Sequence, residues 1–339
     1  MSRNLAQRRN ELIHLFIDDH RLIWERNLGS GSSGFTVLFK DVDAIGNIIQ
    51  RLVVKRGIDE DDDIDIAQER NWLEILREDE HIVNLVAISN NPLEDRNDRG
   101  GLRGEWIMME YMENGTLDQF IERIEGITLP NRVLLFIFLC MTRACLAMAY
   151  PSSNEMPVER IQPTRLAHID MKFENCMFGR LDGDKLEHSL VPILKLIDFG
   201  FAREMPPSAV NPLQEEVDAY DNQLGLGQHR VSYGVRNPGI ERNILDIGMA
   251  MTRILTSEKL LSVARCRQAI QMPDIHPRLL WDLRLLIARC LAVDPLNRPP
   301  LEQLIASLHG GMFTIGDISM ETDDSIKDFI HEYILSADT

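Results

Sequence analysis

The 339-residue sequence predicts an α+β chain in which a small β-rich lobe precedes a larger, mostly helical one. Three observations carry this. Residues 20–110 hold short β-branched runs, "RLIW", "FTVLFK", "NIIQRLVVK", "HIVNLVAI" and "EWIMMEY", broken by Gly, Asp and Asn. One helical stretch intervenes, "IDIAQERNWLEILRE", with Ile66, Leu73 and Leu76 at helical spacing. From about Thr116 onward, long apolar-periodic segments take over, among them "NRVLLFIFLCMTRACLAMAY" and "RLLWDLRLLIARCLAVD", the second halting at Asp294 and Pro295.

These textures divide the chain into an N-terminal extension (1–20), the β-rich lobe (21–110), the helical lobe (111–309) and a C-terminal extension (310–339). No internal repeat is visible. Polar and Pro-rich insertions at Asn90 to Gly104, Pro151 to Thr164 and Pro206 to Gln228 are expected to be loops. The tail ends in "DSIKDFIHEYIL", whose Ile326, Phe329, Ile330, Tyr333 and Ile334 form an apolar stripe. Such a stripe either packs on its own domain or binds a partner helix.

Composition narrows the partners. The 44% hydrophobic and 26% charged fractions fit a globular protein. The net charge of −17 argues against nucleic acid or an anionic membrane as the main partner and favours basic substrates. No uninterrupted apolar run reaches the roughly 18 residues of a membrane span. The most apolar, "VLLFIFLC" (Val133 to Cys140), reads as a buried helix. The N-terminus mixes acids into its apolar part, unlike a secretory signal. Five cysteines, odd in number and without paired metal spacing, suit free thiols in a reducing intracellular compartment, cytoplasmic or nuclear. The acidic run Asp59 to Asp65 reads as a solvated loop, or as a docking patch for cations.

Several polar groups stand at spacings that chemistry could use. Gly29, Gly31 and Gly34 give G-x-G-x-x-G between two strand-like runs. Glycines let a backbone approach phosphate oxygens and offer them N–H groups. A flexible hairpin uses the same residues, and a dinucleotide fingerprint would need a helix where "FTVLFK" looks like a strand. Lys55 closes the apolar run "RLVVK". At a strand end it would be exposed, whereas pointing inward it requires a phosphate or a carboxylate such as Glu69. In "HIDMKFEN", a tight loop would turn Asp170, Lys172 and Asn175 toward one cavity. A carboxylate there accepts a hydroxyl proton, an ammonium offsets phosphoryl charge, and an amide oxygen ligates Mg²⁺. Asp198 in "KLIDFG" adds a metal carboxylate, with Gly200 letting the chain turn away.

Taken in order, the glycine loop, Val53-Val54-Lys55, Glu69, His168-x-Asp170-x-Lys172-x-x-Asn175 and Asp198-Phe199-Gly200 resemble the eukaryotic protein kinases, over roughly Leu22 to Leu308. "IMMEYMENGTL" looks like the family's lobe-joining segment, with Met109 as gatekeeper and the backbone of Glu110 and Met112 placed for adenine. "CLAVDPLNRPPLEQLI" resembles a late motif of the helical lobe and includes Arg298. Lys172, two residues after the base, matches the serine/threonine class, and the divergent segments resemble fungal kinase-like proteins. The resemblance implies a two-lobed protein-kinase-like fold that transfers the γ-phosphoryl group of ATP to protein Ser or Thr hydroxyls. In it Gly29, Gly31 and Gly34 cover the phosphates, and Lys55, paired with Glu69, holds the α- and β-phosphates. Asp170 is the base, Lys172 offsets charge, and Asn175 and Asp198 hold Mg²⁺.

Three departures stand out. The family's usual Arg before the catalytic Asp is Ile169, which predicts activity without activation-loop phosphorylation. "RNPGIE" matches the family's Ala-Pro-Glu segment only loosely, with Gly239 where Glu is expected, Glu241 as a substitute partner for Arg298, and Ser232 at the position of the Thr that contacts the catalytic loop. "NILDIGMAM" puts Asn243 at a usual Asp and Gly248 at the usual Gly. An amide still accepts a hydrogen bond but carries no charge. A smaller departure is Thr36, where the family often has Val beneath adenine. Two other readings compete with the active kinase: a pseudokinase acting as a nucleotide-binding scaffold, and a kinase-like enzyme phosphorylating a small molecule.

Overall fold

A computed structural model describes residues 3–15, 21–31, 34–88, 104–151, 162–206, 219–226 and 237–335. The chain forms two compact units. One comprises Met1–Asp79, Val83–Tyr111 and Asp198–Phe201, and the other Glu80–Ile82, Met112–Ile197 and Ala202–Thr339.

The first unit is built on a four-stranded antiparallel sheet in the order β1 (Leu22–Gly31), β2 (Gly34–Val42), β3 (Ile48–Arg56), β4 (Trp106–Glu110). Alternation along β3 sends Leu52 and Val54 to one face and Val53 and Lys55 to the other. The first face packs with Val37, Phe39 and Met108 under a helix within the N-terminal extension, α1 (Arg3–Leu15), through Leu5 and Leu12. Arg56, fully buried, donates from Nη2 to Glu11 Oε2 at 3.0 Å and from Nη1 to the Arg8 carbonyl at 2.5 Å.

Helix α2 (Glu60–Ile75) starts inside the acidic run, so Asp59 to Asp65 is not a loop. The Asp59 carboxylate caps the helix by accepting from Asp61 N and Asp62 N, at 3.2 and 3.1 Å. Four acids in the first turn then meet the positive end of the helix dipole, which is the physical reason the run is helical. "HIVNLVAI" differs as well. It forms only isolated bridges, at Ile82 and Leu85, because the Asn84 side chain and main chain engage Glu110 in place of a continuous ladder.

The second unit is helical. Its centre is α4 (Asn131–Ala149), which follows the short α3 (Leu117–Arg123). By length and composition α4 could cross a membrane, contrary to the count of uninterrupted apolar residues. However, 83% of its most apolar window is buried within the protein, as befits a core helix. It packs on α5 (Pro238–Thr256) and α8 (Leu301–Ser319). Helices α6 (Val263–Gln271) and α7 (Trp281–Cys290) complete the layer. At Gly248 of α5 a Cβ would lie 2.9 Å from Cys290 Cβ, so glycine sets the α5–α7 approach. Two antiparallel strand pairs, β5 (Leu166–Ala167) with β8 (Arg203–Glu204) and β6 (Cys176–Phe178) with β7 (Leu194–Leu196), flank the loops that carry polar groups.

The tail stripe packs on its own unit. Ile326 and Ile330 of α9 (Asp323–Ile330) and Ile334 of the following π-helical turn are buried, and the Phe329 ring meets Phe120 of α3 edge-on at 6.3 Å. Arg123 Nη1 donates to the Tyr333 carbonyl at 2.6 Å. Within the insertion 206–228, residues 219–226 are described and anchored: Asp221 accepts from Val293 N, Asp294 N and Asn297 Nδ2, at 2.8, 3.0 and 2.7 Å.

Candidate active site

The predicted polar residues fall into two groups, one in each unit. In the first unit Lys55, on β3 opposite Thr36 and Ile107, points to the sheet face away from α1. Its Nζ donates to Glu69 Oε2 at 2.6 Å and to Asp198 Oδ1 at 2.8 Å. Glu69 sits there because α2 presents it on the same buried face as Ile66 and Leu73. Burial opposes the Lys55 ammonium, but the charges of Glu69 and Asp198 outweigh it and raise its pKa above the ordinary lysine value. Burial raises Glu69, with the Lys55 charge opposing the shift and that of Asp198 adding to it. The two acids thus hold the Lys55 ammonium in its charged form.

Helix α2 also fixes the D-F-G turn. Phe199 N donates to Glu69 Oε1 at 3.3 Å, Gln68 Nε2 donates to the Gly200 carbonyl at 3.0 Å, and the Phe199 ring is fully buried. Asp198 has a φ of 63°, a left-handed conformation that aspartate tolerates better than most residues. Gln68 carries no motif signal beyond its place before Glu69.

Of the three glycines, Gly34 alone is structurally required. Its φ is 122°, and a Cβ would lie 2.2 Å from the Arg56 carbonyl oxygen. Among the described residues, nothing lies within 4 Å of a Cβ added at Gly29 or Gly31. Glu110 is held by Asn84, whose N–H donates to its Oε1 at 2.8 Å and whose carbonyl accepts its N–H at 3.1 Å. Met112 is buried.

In the second unit the loop after β5 gathers the other group. Asn175 Nδ2 donates to Asp170 Oδ2 and to the Asp170 carbonyl, both at 2.9 Å, and Lys172 Nζ lies 2.8 Å from Asp170 Oδ2. The loop is clamped from beneath. His168 N donates to Asn243 Oδ1 at 3.1 Å, Asn243 Nδ2 donates to the Leu166 carbonyl at 3.0 Å, and the His168 ring donates from Nε2 to the Ile197 carbonyl at 2.9 Å. A carboxylate would accept the first of these bonds but could not make the second. Ile169, at φ 68°, takes the left-handed turn in a β-branched side chain, an uncommon and strained choice.

"RNPGIE" proves to be the start of α5, the helix that carries Asn243. Asn237 caps it, accepting from Gly239 N and Ile240 N and donating to the Thr164 carbonyl at 2.9 Å. A Cβ at Gly239 would lie 2.2 Å from the Arg165 carbonyl oxygen, so close docking excludes the glutamate expected there. Arg298 does reach Glu241, donating from Nη1 to its main-chain carbonyl at 2.7 Å. Burial pushes the Arg298 guanidinium down to about 10, with the Glu241 charge opposing the shift. Ser232 lies outside the described residues.

The family model of the protein kinase domain matches residues 23–218, more than half of the chain. No curated protein matches it.

Proposed function

The chain belongs to the protein kinase family, and from that premise we propose that it is an active enzyme moving the γ-phosphoryl group of ATP to Ser or Thr hydroxyls of a protein. The observation that carries this reading is the Lys55–Glu69–Asp198 contact, which a merely structural descendant has no reason to keep in a buried, charged form.

The donors suit Mg-ATP. Asp198 offers a carboxylate and Asn175 an amide oxygen, the hard oxygen ligands Mg²⁺ prefers, and Lys55 offers a desolvated ammonium for phosphate oxygens. Bound Mg-ATP supplies the phosphoryl group and the metal charge that eases its transfer. The protein's own part is positioning. Glu69 aims Lys55, and Gln68 and Glu69 hold the turn after Asp198. Asn175 and Lys172 orient the Asp170 carboxylate, which takes the proton of the accepting hydroxyl, and Lys172 then neutralises charge beside it. Gly29, Gly31 and Gly34 supply main-chain N–H groups to phosphate, and the backbone of Glu110 and Met112 takes adenine. The serine/threonine class follows from Lys172, two residues after Asp170. The net charge of −17 favours a basic protein substrate, and free buried thiols fit an intracellular setting.

The test is transfer of labelled γ-phosphate from Mg-ATP to the purified protein and a basic generic substrate, with Asp198→Ala in parallel. Labelling of Ser or Thr that disappears in the variant supports the proposal. ATP-dependent thermal stabilisation without labelling would replace it with a nucleotide-binding scaffold, a reading favoured by Ile169, Gly239 and the irregular activation segment. Labelling of a small alcohol and of no protein would point to the third reading.

A further inference from the structure

Within the second unit, away from the phosphoryl-transfer groups, three side chains distant in sequence converge. His81 comes from the segment after α2, Cys140 from the middle of α4 and His188 from the turn between β6 and β7. One ligand atom from each lies within 4.8 Å of the others, and all three residues are buried, with relative exposures of 6%, 2% and 2%. The two imidazole rings are 5.3 Å apart, centroid to centroid.

The hydrogen bonding of the two rings is unusual for an interior. His81 Nδ1 faces the Leu194 carbonyl at 3.2 Å. A carbonyl can only accept, so Nδ1 carries the proton and Nε2 keeps its lone pair. Among the described residues no side chain bonds either ring nitrogen of His188, and only the Val191 main chain stands beside this deeply buried ring. A His whose far nitrogen is fixed by a carbonyl, beside a second His and a thiol, is the arrangement that metal-binding histidines adopt.

We propose that His81, Cys140 and His188 form a site for a divalent transition metal of the zinc type. Two imidazoles and a thiolate suit Zn²⁺ and suit Mg²⁺ poorly, so this site and the oxygen donors Asn175 and Asp198 select different ions. Three protein donors leave one tetrahedral position for water. On binding, the S–metal bond forms as the Cys140 thiol proton leaves to solvent, and no electron is transferred. Glu80 and Glu187 stand beside the cluster, each paired with a cation, Lys185 and Arg143. The metal would tie Glu80–Ile82 and the β6–β7 turn to α4. The proposal is independent of phosphoryl transfer.

The experiment uses the full chain, stripped with a chelator and titrated with Co²⁺, whose absorption reports geometry and ligand type. One tightly bound Co²⁺ per chain is expected, with intense tetrahedral d–d bands and a near-ultraviolet thiolate-to-cobalt band. Zn²⁺ should displace it and raise Tm. Cys140→Ser should abolish the thiolate band, and His188→Asn should weaken binding at least about tenfold. A wild-type spectrum that stays weak and octahedral at stoichiometric Co²⁺ overturns the proposal without reference to any variant. So does a thiolate band that survives in Cys140→Ser.

Discussion

Arg8 of α1 holds Asp63 of α2 with both terminal nitrogens, Nη1 to Oδ1 at 2.7 Å and Nη2 to Oδ2 at 3.2 Å, while Nη1 also donates to the Gly57 carbonyl at 2.9 Å. The pair is largely buried, with side-chain exposures of 17% and 16%. It therefore fastens the start of the helix that carries Glu69. Removing the guanidinium in Arg8→Ala should cost about 1.5–3 kcal/mol, the range for hydrogen bonds to charged groups. A Tm lowered by a few degrees together with reduced phosphoryl transfer would show that α1 steadies α2. Unchanged values for both would show that α1 only covers the sheet.

Asp41 gives the acid limb of stability a specific source. Its side chain is fully buried, accepting from Arg21 Nε at 2.6 Å and Gln50 Nε2 at 3.1 Å. Burial pushes its carboxyl up, but the hydrogen bonds from Arg21 and Gln50 outweigh this and bring it below the ordinary aspartate value of 3.8. A lowered folded-state pKa means stability that is present above pH 3.8 and lost as pH falls through the folded value. In Arg21→Ala burial dominates and puts the folded-state value above the unfolded one, so this acid-limb loss should disappear and the variant should instead gain stability as pH falls through that value. Melting curves between about pH 3 and 7 would reveal the shift. Parallel wild-type and variant profiles would refute the assignment.

Ile169 bears on regulation. With isoleucine in place of the family's arginine, no guanidinium at this position can receive an activation-loop phosphate. Phosphatase treatment should therefore leave most of the activity intact, measured as label transfer after the phosphatase is removed. Its left-handed backbone also predicts that Ile169→Asn raises folding stability by up to about 1 kcal/mol, since asparagine enters this region more readily. A lower Tm in that variant would mean that the side chain's packing outweighs the strain.

At Gly239 the expected effect is steric. The smallest possible addition, Gly239→Ala, would place a methyl 2.2 Å from the Arg165 carbonyl oxygen and should destabilise by about 1–3 kcal/mol, as overpacking does. Asn243→Ala, one turn further along α5, instead leaves the buried His168 N–H without its acceptor, at a similar cost of about 1–3 kcal/mol. Denaturant titrations measure both. Only the second should also lower kcat in proportion, because Asn243 supports the loop that carries Asp170.

The candidate site residues from His168 to Asn175 and from Asp198 to Gly200 stand out in the sequence because phosphoryl transfer demands particular residue types at fixed steps. Their supports do not. Gln68, Asn84 and Asn237 act through single bonds to backbone groups, a task for which many polar residues serve, so no spacing marks them. The acidic run was misread because charge density speaks for solvent, while the one residue that makes it helical, Asp59, has an effect visible only once its carboxylate meets two N–H groups. Similarly, α4 is a single apolar face too broad for a count of consecutive residues to register. His81, Cys140 and His188 lie too far apart along the chain for any local pattern.

The cover that α1 provides has a practical corollary for anyone producing the protein. The family match begins at residue 23, and a recombinant fragment cut there would lack Leu5 and Leu12 while keeping the surface they shield. Val37, Phe39 and Val54 would then meet water, and Arg56 would lose both its Glu11 carboxylate and the Arg8 carbonyl. Such a fragment is expected to be insoluble, a failure of the cut and not of the fold.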